Sequence, residues 1–155
     1  MLELSESPQS SQYPSYETAM NFSSQEIELA RSLRQRGIPW EPEAGNYVYD
    51  LTGFCKQKSP FQERVYFILN YPYFMRNVGG VDRFKEIMLW LPTWENLRDL
   101  LRVHGISDQQ VSLHLAETQA IENGTERLAL YQLAEATFTS QEPPIHSSDR
   151  ESLQR

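Results

Sequence analysis

The amino-acid sequence predicts an α+β fold, in which a small antiparallel or mixed sheet is packed by about three helices. Segments with capping residues and a helical spacing of apolar residues alternate with short runs of β-branched and aromatic residues. Both ends of the chain are polar and rich in serine, which is typical of disordered termini. We therefore expect one domain at 23–138 between disordered tails at 1–22 and 139–155.

The first predicted helix follows Ser23. Ser23 and Glu26 have the spacing of a capping box, which satisfies two unpaired backbone N–H groups at a helix start. Apolar residues then recur at helical spacing as far as Leu33, and Gly37 and Pro39 end the run.

Three strands are predicted in the middle of the chain. The first is short and alternates around 47–49, and the second is the continuous β-branched and aromatic run 64–71. Pro72 closes the second strand, because proline has no N–H to offer a sheet ladder. The third strand lies within 84–91, with alternate apolar residues on its two sides, and Pro92 ends it.

Two further helices are predicted toward the end of the chain. Thr93 is expected to cap a helix over 94–104, and a closing helix follows Thr125. Between them, apolar and polar residues alternate over 111–118, which favours a half-exposed strand. A helix over 107–119 is the alternative, and it would make the protein mostly α with a small hairpin.

Composition and charge narrow the classes of function. The 155 residues carry a formal net charge of -7, which argues against non-specific attraction to nucleic acid or anionic lipid. A single cysteine, Cys55, allows no internal disulfide, and no apolar run is long enough to cross a membrane. The N-terminus lacks the basic and apolar regions of a signal peptide. We therefore expect a cytoplasmic protein without membrane partners.

The sequence predicts no catalytic residues. Cys55 precedes Lys56 and Lys58, which would favour a thiolate, and His104 or His114 could complete a nucleophilic pair. No nucleophile motif surrounds the cysteine, and His104 lies where a helix is predicted to end, so that its imidazole complements the helix dipole. The simpler interpretation is a loop cysteine with structural histidines.

No metal site and no cofactor are predicted. His104, His114 and His146 do not cluster with each other or with Cys55 in the spacing of metal ligands. His114 and Glu117 would share a face only on a helix, whereas the favoured strand points them in opposite directions. The chain has no P-loop, no dinucleotide-binding glycine motif and no nucleophile-elbow motif.

A concentration of aromatic residues is the main anomaly of the sequence. Ten of them fall within 40–74: Trp40, Tyr47, Tyr49, Phe54, Phe61, Tyr66, Phe67, Tyr71, Tyr73 and Phe74. A small sheet buries all of these rings only if both of its faces are covered, so some rings are expected to be exposed. The surface near 66–78 is therefore a candidate contact surface, with these partner-binding residues: Tyr71, Tyr73, Phe74, Met75 and Arg76.

These observations give three hypotheses for function. The leading one is a non-enzymatic protein-interaction or regulatory module that binds an unidentified protein, or a second copy of itself, through the surface near 66–78. The alternative is a small ligand-binding or hydrolytic protein. Its pocket would be lined by Trp40, Trp90 and tyrosines, and His104 or His114 would supply the polar group. The third is weak binding of single-stranded nucleic acid, because several basic residues accompany the aromatic rings.

Three stretches resemble a loose pattern in short, uncharacterised bacterial and phage proteins: RGIPWEPEAGNYVYD, LWLPTWENLRDLL and NGTERLALYQLAEA. In that pattern a helix leads into a Trp-Glu-Pro turn and a strand, and a later strand ending in Leu-Pro-Thr opens the next helix. The resemblance covers about residues 27–137, and the segment 54–84 is longer than the linkers of the pattern. It implies an α+β arrangement and assigns neither an activity nor functional residues.

Overall fold

The structure is a computed structural model, and it describes residues 21–141. Its helices are α1 (Ser24–Gln35), α2 (Tyr71–Val78), α3 (Val81–Ile87), α4 (Trp94–Val103), α5 (Asp108–Glu117), α6 (Ala120–Asn123) and α7 (Glu126–Ser140). Its strands are β1 (Tyr47–Asp50), β2 (Val65–Phe67) and β3 (Met88–Leu91). The α+β prediction is confirmed, with seven helices in the described part of the chain where about three were expected.

The predicted tails 1–22 and 139–155 lie outside the described residues except at their inner ends. Phe22 is buried, with 2% of its surface exposed, and α7 continues as far as Ser140. The packed part of the chain therefore extends slightly beyond 23–138 on both sides.

The three strands form one antiparallel sheet in the order β2-β1-β3, so β1 is central. Tyr47 of β1 lies opposite Phe67 of β2 and Leu91 of β3. Because side chains alternate along a strand, Tyr47 and Tyr49 face one side of the sheet and Val48 faces the other.

Helices cover both faces of the sheet, and each face has its own core. The first core lies between the sheet and α1, α4, α5 and α7, and its largest fully buried side chains are Leu89, Leu91, Leu97, Leu101, Leu130 and Tyr131. The second core lies between the opposite face and α2 and α3, and it contains Val48, Ile68, Met75, Val78, Phe84, Ile87 and Met88. Most of the aromatic concentration of the sequence is therefore divided between two cores, whereas Phe61 and Tyr73 are exposed, as expected for some of the rings.

Helices α1 and α7 pack side by side and run in the same direction. Glu26 in the first turn of α1 pairs with Arg127 in the first turn of α7. At the other end of the pair, Arg36 Nη2 lies 3.0 Å from Glu135 Oε1. The Arg127 guanidinium also lies 4.2 Å from the ring centroid of Phe22, so it holds the start of the described chain against α7.

The predicted helix starts are confirmed where capping residues indicated them. The Ser23 side chain accepts a hydrogen bond from the Glu26 N–H at 3.1 Å, at the start of α1. Thr93 and Asn96 form a reciprocal capping box at the start of α4. These side chains act within a single turn, which is why the sequence alone identifies them.

The predicted strands 64–71 and 84–91 are too long. Strand β2 ends at Phe67, and Pro72 lies in the first turn of α2, where a helix needs no N–H from it. The Asn70 side chain caps α2 by accepting from the Tyr73 N–H at 3.1 Å. Gly79, with φ of 101°, then lets the chain turn from α2 into α3, so only the last four residues of the second segment form strand β3.

The strand favoured at 111–118 is wrong, and the alternative helix is present as α5. Ser107 and Gln110 form a capping box at its start, and Val111 and Leu115 are buried four residues apart. Leu113, which completed the apparent alternation, is 58% exposed. The sheet nevertheless has three strands rather than the small hairpin of that alternative.

The Asp50 carboxylate organises the loop that follows β1. Asp50 is 1% exposed, and its Oδ1 accepts from the backbone N–H groups of Thr52, Gly53 and Phe54 at 3.0–3.2 Å. Its Oδ2 accepts from the Cys55 N–H at 2.8 Å. One side chain therefore satisfies the backbone donors of a whole turn.

We expect Asp50→Ala to lower the free energy of unfolding by about 3 kcal/mol, because it leaves these N–H groups without acceptors. Asp50→Asn keeps an oxygen for the Oδ1 bonds but turns an NH₂ group toward the Cys55 N–H, and it should lose about 1–2 kcal/mol. Urea denaturation followed by circular dichroism measures both changes. The control is Asp82→Ala on the exposed side of α3, and equal losses for Asp50→Ala and this control would disprove the role of Asp50.

Candidate functional site

A cleft of about 600 Å³ opens beside β3, between that strand, the second half of α1 and the segment 38–41. Its lining residues are Ala30, Leu33, Arg34, Ile38, Pro39, Trp40, Glu41, Lys85, Met88, Leu89, Trp90 and Pro92. We call it the tryptophan cleft. Because β3 is an edge strand, the cleft lies where no further strand of the described residues pairs with the sheet.

Two stacked indoles form part of the cleft wall. The ring centroids of Trp40 and Trp90 are 5.7 Å apart and the planes differ by 4°. Trp40 Nε1 donates to Asn46 Oδ1 at 3.2 Å, and Asn46 is itself buried. Trp90 Nε1 is also buried, and no described residue offers it an acceptor. The two rings therefore share an apolar role, but only Trp40 is fixed by a hydrogen bond.

Three charged side chains line the cleft, and only two of them neutralise each other. Lys85 Nζ lies 2.6 Å from Glu41 Oε1. Arg34 Nη2 donates to the backbone oxygen of Glu86 at 2.8 Å, and within residues 21–141 no carboxylate pairs with its guanidinium. The lining therefore carries one unmatched positive charge.

The pocket expected from the sequence is present only in part. Trp40 and Trp90 line the cleft, as expected, whereas neither a histidine nor a tyrosine is among its lining residues. His104 Nδ1 donates to the Leu100 oxygen at 2.8 Å, and His114 Nε2 donates to the Ala129 oxygen at 2.9 Å. Both imidazoles are thus used within the helical layer, and the polar groups of the cleft are Arg34, Glu41 and Lys85 instead.

The residues proposed for partner binding all lie on α2: Tyr71, Tyr73, Phe74, Met75 and Arg76. Met75 is 8% exposed and belongs to the second core. Phe74 is half-buried, and its ring meets that of Phe84 edge-on at 6.0 Å. Both side chains therefore pack into the second core, and partner binding through them stays a prediction.

The exposed part of this surface is smaller and more polar. Tyr73 is 57% exposed, Arg76 is exposed, and Tyr71 is half-buried. Leu69, just before the helix, is 81% exposed. Protein interaction through the surface near 66–78, and the weaker hypothesis of single-stranded nucleic-acid binding, stay predictions.

The surroundings of Cys55 disfavour the thiolate that nucleophilic chemistry requires. Burial raises the pKa of its thiol to about 11, and the negative charge of Asp50 and a hydrogen bond to it act in the same direction. The neighbouring Lys56 and Lys58 are exposed and do not offset these effects. The proton therefore stays on the sulfur at neutral pH, and Cys55 is unsuited to the thiolate chemistry that a cysteine nucleophile requires.

Other site classes receive no support from the described residues. No group of three or more His, Cys, Asp or Glu side chains within 21–141 is arranged to hold a metal ion, and His146 lies outside this range. In the same part of the chain, no helix has the length and apolar character needed to span a bilayer.

Comparisons of the chain with known protein families, with curated proteins and with solved structures found no match.

We expect Phe74→Asp to lower the free energy of unfolding by about 3 kcal/mol or more, because it places a carboxylate against Phe84. Tyr73→Asp, one residue earlier on the same helix, should cost less than about 1 kcal/mol since Tyr73 faces solvent. Urea denaturation of both variants measures the difference. Similar losses would show that the outer face of α2 is packed in solution, and light scattering of folded Tyr73→Asp reports whether that face holds a second copy.

The raised pKa of Cys55 predicts an unusual alkylation profile. Because the thiolate is the reactive form, the rate of reaction with iodoacetamide should rise about tenfold per pH unit up to about pH 10 in the folded protein. In urea the rate should level off near the ordinary thiol pKa of about 8.5. A plateau near pH 9 in the folded protein would contradict the assignment, and circular dichroism at each pH confirms folding.

Proposed function

We propose that this protein is a non-enzymatic binding protein that holds the flat, apolar part of a small organic molecule in the tryptophan cleft. The observation that carries the proposal is a cleft of about 600 Å³ whose wall contains two stacked indoles. Small-molecule sites occupy about 300–1,000 Å³, are lined mainly by apolar side chains and contain a few polar groups that orient the ligand. The tryptophan cleft has each of these properties.

The geometry of the indoles indicates how a ring would bind. A third ring between Trp40 and Trp90 would need a plane separation of about 7 Å, which is twice the usual contact distance. The centroids are only 5.7 Å apart, so the indoles already contact each other as an offset pair. A ligand ring would therefore lie against the outer face of this pair.

The chemistry of the lining favours binding over reaction. Its ionisable side chains are Arg34, Glu41 and Lys85, and Glu41 is already paired with Lys85. The lining contains no serine, threonine, cysteine or histidine. These groups can recognise and orient a ligand, but they do not supply a nucleophile with an adjacent base.

We further propose a cytoplasmic location, on the sequence arguments alone.

The test uses the indole N–H signals of the three tryptophans in a ¹⁵N-labelled sample. Titration with naphthalene-2-carboxamide, a neutral flat probe, should shift the signals of Trp40 and Trp90 in a saturable way. Trp94 is an internal control, because it does not line the cleft. Its ring centroid lies 5.8 Å from the Arg98 guanidinium carbon instead. Its signal should stay in place.

A matched pair of variants completes the test. Trp40→Ala should weaken probe binding by about fivefold or more, because it removes one wall of stacked ring surface. Trp94→Ala should leave the affinity unchanged, and thermal unfolding confirms that both variants are folded. The proposal fails if no saturable shift occurs, or if Trp94 shifts as much as the cleft indoles.

A further inference from the structure

We infer that the ligand of the tryptophan cleft is an organic anion, a flat apolar body that carries a carboxylate. This inference rests on the proposed function and concerns the charge of the ligand. The described chain is acidic overall, so a positive lining in one cleft is a local feature of that surface.

The first argument is the unmatched charge of Arg34. Its guanidinium has five N–H donors, and the described structure assigns one of its nitrogens to the backbone oxygen of Glu86. Arg34 is exposed, so the remaining donors are open to a ligand. A carboxylate is the group that the planar fork of a guanidinium binds best, because two parallel N–H donors can meet its two oxygens.

The second argument is the position of Lys85. Because Arg34 reaches the backbone of Glu86, its charged group lies beside the residue that follows Lys85 in α3. Arg34 and Lys85 thus both contribute a cation to the cleft lining. Glu41 neutralises only one of them, and its side chain is 83% exposed. An exposed carboxylate of this kind is held weakly, and a bound ligand carboxylate can share Lys85 with it.

The third argument is that the lining combines cationic and aromatic groups. The cations come from α1 and α3, whereas the stacked indoles come from the segment 38–41 and from β3. A ligand that carries both a ring and an acidic group matches both kinds of lining. A neutral ligand would form no ion pair with Arg34, and a cationic ligand would be repelled by it.

The experiment compares three probes that share one ring system. They are naphthalene-2-carboxylate, naphthalene-2-carboxamide and 2-naphthylmethylammonium, titrated at the same moderate salt concentration with the indole signals of Trp40 and Trp90 as the readout. We expect the carboxylate to bind about fivefold more tightly than the carboxamide, in keeping with the strength of a solvent-exposed ion pair. The ammonium should bind most weakly.

Substitutions at the cleft locate the effect. Arg34→Gln should remove the advantage of the carboxylate and leave carboxamide binding unchanged. Glu41→Gln should increase carboxylate affinity by about threefold, because it releases Lys85 from its ion pair. The control is Arg83→Gln, which removes the same charge from an exposed position of α3 outside the lining and should change neither affinity.

The outcomes separate the two proposals. If none of the probes binds, the proposed function itself fails and the inference fails with it. If the three probes bind equally, or if the ammonium binds most tightly, the cleft is a binding site but the inference about charge is overturned. If the carboxylate binds best and Arg83→Gln weakens it as much as Arg34→Gln does, its preference comes from overall charge and the inference is likewise overturned.

Discussion

The rest of the fold depends on burying both faces of the short strand β1. A sheet of three strands, each of three or four residues, has too little area to be stable alone. Tyr47 directs one ring into the core beneath α1 and α7, while Val48 enters the core beneath α2 and α3. At the end of the strand, the buried carboxylate of Asp50 fixes the departing chain. The two helical layers therefore lie on opposite sides of a central strand of four residues.

The sequence correctly predicts the elements whose signals lie within a single turn. It fails where the same residue pattern is compatible with two different structures. Ser23 and Thr93 are helix caps, and both were recognised. Pro72 satisfies the rule for a strand end and equally the rule for a first helical turn, and only the cap by Asn70 distinguishes them. In α5, Leu113 imitates strand alternation although it is exposed, because burial is decided by packing against other elements.

The cleft shows the same limit at the level of a site. Trp40 and Trp90 were expected to line a pocket because large aromatic residues commonly do. Arg34 and Lys85 were not, since they lie about fifty residues apart on solvent-facing helices and nothing in their local sequence joins them. A histidine was expected to supply the polar group of the pocket. The ring N–H of His104 instead donates to a backbone carbonyl of its own helix, so it is not directed into the cleft. A pocket's polar groups depend on which elements meet, and local spacing does not contain that information.

The parallel arrangement of α1 and α7 has a practical consequence for tethering the protein. The chain enters α1 at the end marked by Glu26 and Arg127, and it leaves α7 about 20 Å away, beyond the end marked by Arg36 and Glu135. The cleft uses the second half of α1, so it lies toward the exit. A surface anchor or fusion partner joined directly before Ser24 therefore starts from the end of α1 that is farther from the cleft lining, whereas one joined directly after Ser140 starts from the opposite end of the helix pair.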